Sequence, residues 1–202
     1  PAELTTPLRR GLSAHEGNRP DEAEKIYRRA LSLSPGNPEV EHLLATLLTS
    51  LDRHREALEL FDSCLPRLGA NPAVRCNFAI ALERAGQIEK AIDEFRQAIS
   101  YHGDFPTALY HLARLEMPRG HIGQTVDLLG RLLGLKPDHF DGLLLFGEAL
   151  HALGQEEAAL TSLDRAAEAA GTTPDMICRV VDVSLALGCP GMAPTVYQRT
   201  TS

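Results

Sequence analysis

Apolar residues recur along this chain in blocks of helical period, and the blocks come in pairs. Between residues 72 and 86, Val74, Phe78, Ala79 and Leu82 recur at helical spacing, which is one stripe along a helix. Gly86 interrupts the stripe, as a residue suited to left-handed backbone does at a helix end. A second stripe follows in Ile88, Ala91, Ile92, Phe95 and Ala98. Tyr101-His102-Gly103-Asp104 closes it, and Pro106 opens the next pair. Each stripe predicts a helix of about 12–14 residues, and the short turn between them predicts an antiparallel hairpin.

The pair repeats every 34 residues. Asn18, Asp52, Gly86, Gly120, Gly154 and Gly188 are successive rungs, all of types that accept left-handed backbone at little cost. Ala23, Ala57, Ala91, Thr125, Ala159 and Ala193 run in the same phase. Gly11, Ala45, Ala79, Ala113, Gly147 and Val181 are the small rungs of each first helix, predicting close approach of the second. Tyr27, Phe61, Phe95, Leu129, Leu163 and Tyr197 are the bulky rungs of the second helices. Pro35, Gly69, Gly103, Pro137 and Gly171 mark where each second helix ends, and Pro20 and Pro190 fall at the first turn of one. A fixed period with in-phase ladders means a stacked repeat array, in which each unit buries its apolar face against its neighbours.

The period, the helix–turn–helix pattern and runs such as Ala91-x3-Phe95-x2-Ala98 and Ala23-x3-Tyr27-x2-Ala30-x4-Pro35 resemble the tetratricopeptide repeat. The resemblance covers nearly the whole chain. It implies an all-α, right-handed superhelical solenoid of antiparallel helix hairpins. The expected organisation is a single array over 1–202, with repeats at 4–37, 38–71, 72–105, 106–139 and 140–173 and a shortened sixth at 174–202. Departures are expected in the first unit, where Pro7 and Arg10 replace large apolar residues and predict a frayed first helix. In the fourth unit, Pro118 predicts a shortened or kinked helix, because it lacks the helical N–H and disfavours helix at Met117.

Composition narrows the function by exclusion. Net charge is −7, with 20 basic and 27 acidic residues, a poor balance for neutralising nucleic-acid phosphates. The acidity is uneven: 13 basic against 15 acidic residues in 1–101, and 7 against 12 in 102–202. No stretch approaches the roughly 18 apolar residues of a membrane span. Residues 1–10 lack the pattern of a signal peptide. The chain begins with Pro and breaks off in its sixth unit, which reads as a piece of a longer protein. The four cysteines, Cys64, Cys76, Cys178 and Cys189, form no CxxC pair, and Cys64 reads as a small core residue. A reducing, cytoplasmic compartment is the default expectation. The eight histidines show no HExxH or comparable ligand spacing, and no phosphate-cradling loop or nucleophile elbow is present, so no metal, cofactor or catalysis is expected. Glu156-Glu157 lies at a helix start, where the dipole favours acids.

By the resemblance, first helices line a concave groove. Its expected lining includes Glu39, His42, Thr46 and Thr49; Ala73, Cys76, Ile80 and Glu83; Thr107, Tyr110, Arg114 and Met117; Asp141, Leu144, Glu148 and His151; and Asp175, Cys178 and Asp182. Tyr110 and Arg114, one turn apart, are the expected ligand anchors. His111 and Asn77 lie at the groove edge. The acidic end formed by Asp141, Glu148, Asp175 and Asp182 is expected to attract Lys or Arg. Chaperone co-factors of the family hold a C-terminal carboxylate with a Lys and Asn, a further Asn, and a Lys and Arg. Asn77 could be the middle Asn, but His42, Thr46, Thr107 and His111 stand where the others belong, which argues against that ligand. The expected function is a non-catalytic scaffold or adaptor binding a protein or peptide segment in its groove. One alternative is the repeat region of a larger enzyme of glycosyltransferase, sulfotransferase or hydroxylase type, recruiting substrate or partner. A self-associating array is the other.

Overall fold

The computed structural model describes residues 2–103 and 105–188, and among them the chain forms eleven α-helices and no strand. Contacts divide it into two compact units, residues 1–103 and 104–202.

Unit 1 holds α1 (Ala2–Glu16), α2 (Pro20–Leu33), α3 (Pro38–Ser50), α4 (His54–Leu68), α5 (Pro72–Arg84) and α6 (Ile88–His102). Each odd helix packs most extensively on the even helix that follows it, and α3 also meets α5. Starts are set by local chemistry. Proline occupies the first turn of α2, α3 and α5, where a missing N–H costs nothing. The Asn37 side chain accepts from the backbone N–H groups of Glu39 and Val40, and Asn71 accepts from that of Ala73. The helix ends explain the 34-residue rungs. Asn18, Asp52 and Gly86 have φ of 54°, 58° and 76°. That left-handed step lets the next N–H reach back five residues: Arg19 to the Ala14 carbonyl at 2.8 Å, Arg53 to Leu48 at 3.0 Å and Gln87 to Leu82 at 2.9 Å. Carbonyls left over at the helix end are thereby satisfied.

The small and bulky rungs meet as expected. Tyr27, Phe61 and Phe95 are fully buried, as are Ala45 and Ala79. A Cβ at Gly11 would lie 2.5 Å from the Tyr27 ring. Cys64 is buried, and that burial pushes its thiol up to about 11. The first helix differs from its expected fraying: α1 is continuous from Ala2 through Pro7 to Glu16. Pro7 lies close enough to the helix start that the lost hydrogen bond is among the earliest of the ladder.

Unit 2 holds α7 (Pro106–Glu116), α8 (Ile122–Leu135), α9 (Phe140–Ala152), α10 (Glu156–Ala170) and α11 (Pro174–Ala186), with a 3-10 turn at Met117–Arg119. Here α7 packs on α8, α9 on α8 and α10, and α11 on α10 and α9. Gly120, Gly154 and Gly188 repeat the left-handed step with φ of 79°, 74° and 74°. Pro118 acts as expected: α7 has 11 residues where α9 and α11 have 13, and the remainder tightens into the 3-10 turn. Beneath that turn the Glu116 carboxylate is fully buried, with His121 Nδ1 at 2.5 Å and Arg119 Nε at 3.5 Å. Thr125, standing for alanine, is buried and donates to the His121 carbonyl at 3.1 Å. Pro190, Ala193, Tyr197 and Cys189 lie outside the described residues.

Candidate functional site

The variable residues of the first helices gather at two places, one in each unit. In unit 2, Tyr110 on α7 is half-buried, with its ring 5.2 Å from the His139 ring and 5.6 Å edge-on from His111. His139 is fixed because it caps α9, accepting from the Gly142 N–H at 3.0 Å. Burial raises the Tyr110 pKa, and the Asp141 carboxylate adds to the rise while Arg179 opposes it. Asp141 pairs with Arg179 of α11 at 2.6 Å, and the same guanidinium lies 5.0 Å over the Phe140 ring. Glu148, two turns along α9, is half-buried; burial pushes its carboxyl up and Arg179 pulls it back. Arg114 is exposed, with Nη2 3.5 Å from His111 Nδ1. Asp175 and Asp182 stand exposed on α11.

The structure therefore brings Tyr110, Asp141 and Glu148 into one electrostatic neighbourhood around Arg179. The acidic end expected from the sequence is partly offset from within, because Asp141 has an internal cationic partner. Arg179 and His139 were missed by the sequence reading, which followed the acids along their own rungs. The available signal was a lone arginine one turn after Asp175, on the helix next to the one bearing Asp141.

In unit 1, Asn77 on α5 reaches α3. Its Nδ2 lies 3.1 Å from His42 Nε2 and 3.4 Å from Thr46 Oγ1. His42 is packed against Phe61, with ring centroids 6.1 Å apart, and burial lowers its pKa. The lowered pKa favours the neutral imidazole, whose Nε2 is placed to accept from the Asn77 amide N–H. Three residues placed on groove-lining rungs are instead buried, Thr49, Cys76 and Leu144. Burial pushes the Cys76 thiol up to about 12. These rungs turn inward because α3, α5 and α9 are covered on a wider arc than one stripe, with Leu44, Leu47 and Leu48 on α3, Val74, Phe78 and Leu82 on α5, and Leu143 and Leu150 on α9 buried as well. Among the described residues no group of three or more His, Cys, Asp or Glu is placed to hold a metal ion, and no helix is long and apolar enough to cross a membrane.

Helix hairpins stacked at a 34-residue period, each closed by a left-handed rung, define a helical-repeat protein. Two family models, both described as tetratricopeptide repeat, match residues 14–76 and 76–120. The chain belongs to the tetratricopeptide-repeat family. It is 30% identical over 186 residues to Cellulose synthase operon protein C of Pseudomonas fluorescens (strain SBW25), covering 87% of this chain and 14% of that protein. It is 24% identical over 181 residues to human Protein O-mannosyl-transferase TMTC3, covering 71% of this chain and 20% of that one. The chain thus spans a small part of the length of these curated relatives. The crystal structure of PilW, titled a widely conserved type IV pilus biogenesis factor, superposes with a TM-score of 0.81 at 16% identity, over 96% of this chain and 90% of that one. That likeness is one of fold.

Proposed function

We propose that this chain is a non-catalytic interaction scaffold that holds a peptide or protein segment along its first-helix faces. The observation that carries this reading is the half-buried Tyr110, set among His111, His139 and the Asp141–Arg179 pair. A partly covered aromatic ring with a polar rim is the composition of an interface anchor. Arg114 adds a guanidinium one turn away. Asp175, Asp182 and Glu148 supply negative charge suited to a partner segment carrying Lys or Arg, with Asp141 contributing less because Arg179 already faces it. The test is recovery of partners on the immobilised chain, followed by calorimetric titration of the recovered partner into the Tyr110→Ala/Arg114→Ala double variant. Loss of one aromatic and one arginine anchor weakens binding by about tenfold or more. Unchanged affinity removes these anchors.

A second reading is supported by the lengths of the relatives. The chain corresponds to 14% and 20% of two much larger proteins, one of them named a mannosyl-transferase. In that reading the array recruits substrate or partner for a catalytic domain elsewhere in a longer protein. The length and content of the full reading frame decide it.

A further inference from the structure

Unit 1 contains a pocket of about 180 Å³ between α1, α3 and α5. That is roughly six times the ~30 Å³ share of one water molecule, room for the end of one side chain. Its wall is formed by His15 of α1, Thr46 and Ser50 of α3, and Asn77, Ile80 and Arg84 of α5. The two ionisable groups in this lining are both basic. The rest of the wall is already committed. Thr46 donates to the His42 carbonyl at 2.9 Å, Ser50 to the Leu47 carbonyl at 2.7 Å, and Asn77 is held by His42 and Thr46. These bonds fix the wall and leave the charge of the pocket to Arg84, with the His15 imidazole beside it.

Arg84 is half-exposed, and its contacts run through Nη1, to the Thr49 carbonyl and to Asp52 Oδ1, at 3.5 Å each. Both are at the long limit for a hydrogen bond. Asp52 itself is largely in solvent, with 77% of its side chain exposed, so it neutralises Arg84 weakly. The Nε–Nη2 edge is the planar two-donor fork that matches a carboxylate.

We infer that this pocket receives the carboxylate of an acidic side chain, Glu or Asp, from a segment lying along the first helices of unit 1. The inference rests on the reading of first-helix faces as the binding surface. It adds a specificity opposite in sign to the one proposed for unit 2: an acid met by Arg84 and His15, where Asp175 and Asp182 are proposed to meet bases.

Two measurements on the whole chain test it. The first is an NMR titration with glutamate capped as its N-acetyl, N-methyl amide, against capped glutamine at equal concentrations. Capped glutamate shifts the Arg84 Nε–H and Asn77 side-chain resonances saturably, and capped glutamine does not. The Arg84→Gln variant, altered at a half-exposed position, keeps the remaining spectrum and loses the response. Equal response to capped glutamine, no saturable response, or a response that survives in Arg84→Gln overturns the inference. The second is selection from a random peptide library displayed on phage through the peptide C-terminus, so that no terminal carboxylate is offered. Selected peptides share an Asp or Glu and bind the Arg84→Glu variant about tenfold or more weakly. Selected peptides without a shared acid overturn the pocket and leave the groove reading standing. A library that yields no binder, beside a positive glutamate titration, overturns the groove reading and leaves the pocket.

Discussion

Two glycines of unit 2 offer opposite outcomes for the same substitution. Gly130 lies inside α8 and Gly147 inside α9, and neither has a positive φ. A methyl group at Gly130 would meet nothing within 4 Å. The change Gly130→Ala therefore leaves contacts untouched and removes the conformational freedom of a helix-interior glycine, a gain of about 0.5–1 kcal/mol. A methyl group at Gly147 would lie 3.1 Å and 3.2 Å from Leu163 Cδ2 and Cγ, and 3.4 Å from the Ala159 carbonyl oxygen. Leu163 is fully buried, and the crowded atoms include its branch carbon, so the side chain cannot clear the space by turning its tip. Overpacking of this kind costs about 1–3 kcal/mol, set against the same helix gain of about 1. Gly147→Ala is expected to be neutral to about 2 kcal/mol destabilising.

The difference between the two variants is the quantity to measure, because the propensity term is common to both. Urea unfolding followed by circular dichroism should place Gly130→Ala above Gly147→Ala by about 1–3 kcal/mol. Both sites lie in one unit, so partial unfolding between units does not blur the comparison. The same rung carries alanine at 45, 79 and 113. The expectation therefore depends on α9 and α10 lying closer than the hairpins that carry alanine on this rung. Equal shifts in both variants would refute that close approach.

Burial raises the pKa of Glu148 above its ordinary 4.5, with Arg179 opposing, so the group favours the folded state when protonated and disfavours it once ionised. Its contribution is fully present below the unfolded pKa and is lost as pH rises through the folded value; Glu148→Gln should stabilise at neutral pH and have no such effect in acid, seen as urea midpoints that diverge above about pH 4.5. At the turn rungs, Gly86→Ala places a Cβ at φ 76° and should cost about 1–2 kcal/mol, whereas Asn18→Gly at φ 54° should be neutral or slightly stabilising; thermal unfolding checks both, and a neutral Gly86→Ala would deny the strain. The interruption at Pro118 shortens α7 and leaves it fewer helical bonds, so amides of α7 and the following turn should exchange with solvent faster than those of α9; equal protection would contradict this.

The architecture was legible because it depends on residues that recur. The left-handed rungs are a backbone requirement with few chemical solutions, so Asn, Asp and Gly expose them at any position in the chain. The small rungs are legible for a similar reason: close approach of two helices leaves room for Gly or Ala and little else. Pro118 was equally readable, since its effect is confined to its own helix. The burial of Thr49, Cys76 and Leu144 was not, because a rung shared by all repeats says which way a side chain points and not how widely its neighbours cover it.

The site was less legible for a reason that the Asp141–Arg179 pair makes concrete. The two residues lie on neighbouring first helices but on different rungs, and ladder reading compares like with like. Asp141 appeared as one of four acids on the groove; in space it is the acid that the chain itself answers, at 2.6 Å. Arg84 is the converse case. Its rung partners carry no charge pattern, yet it lines a pocket in which Thr46, Ser50 and Asn77 bond internally. In a repeat protein the shared rungs build the stack, while recognition is built across rungs. A charge pair and an unused donor edge of this kind become visible when the helices are set side by side, and they decide which surface acids and bases remain available to a ligand.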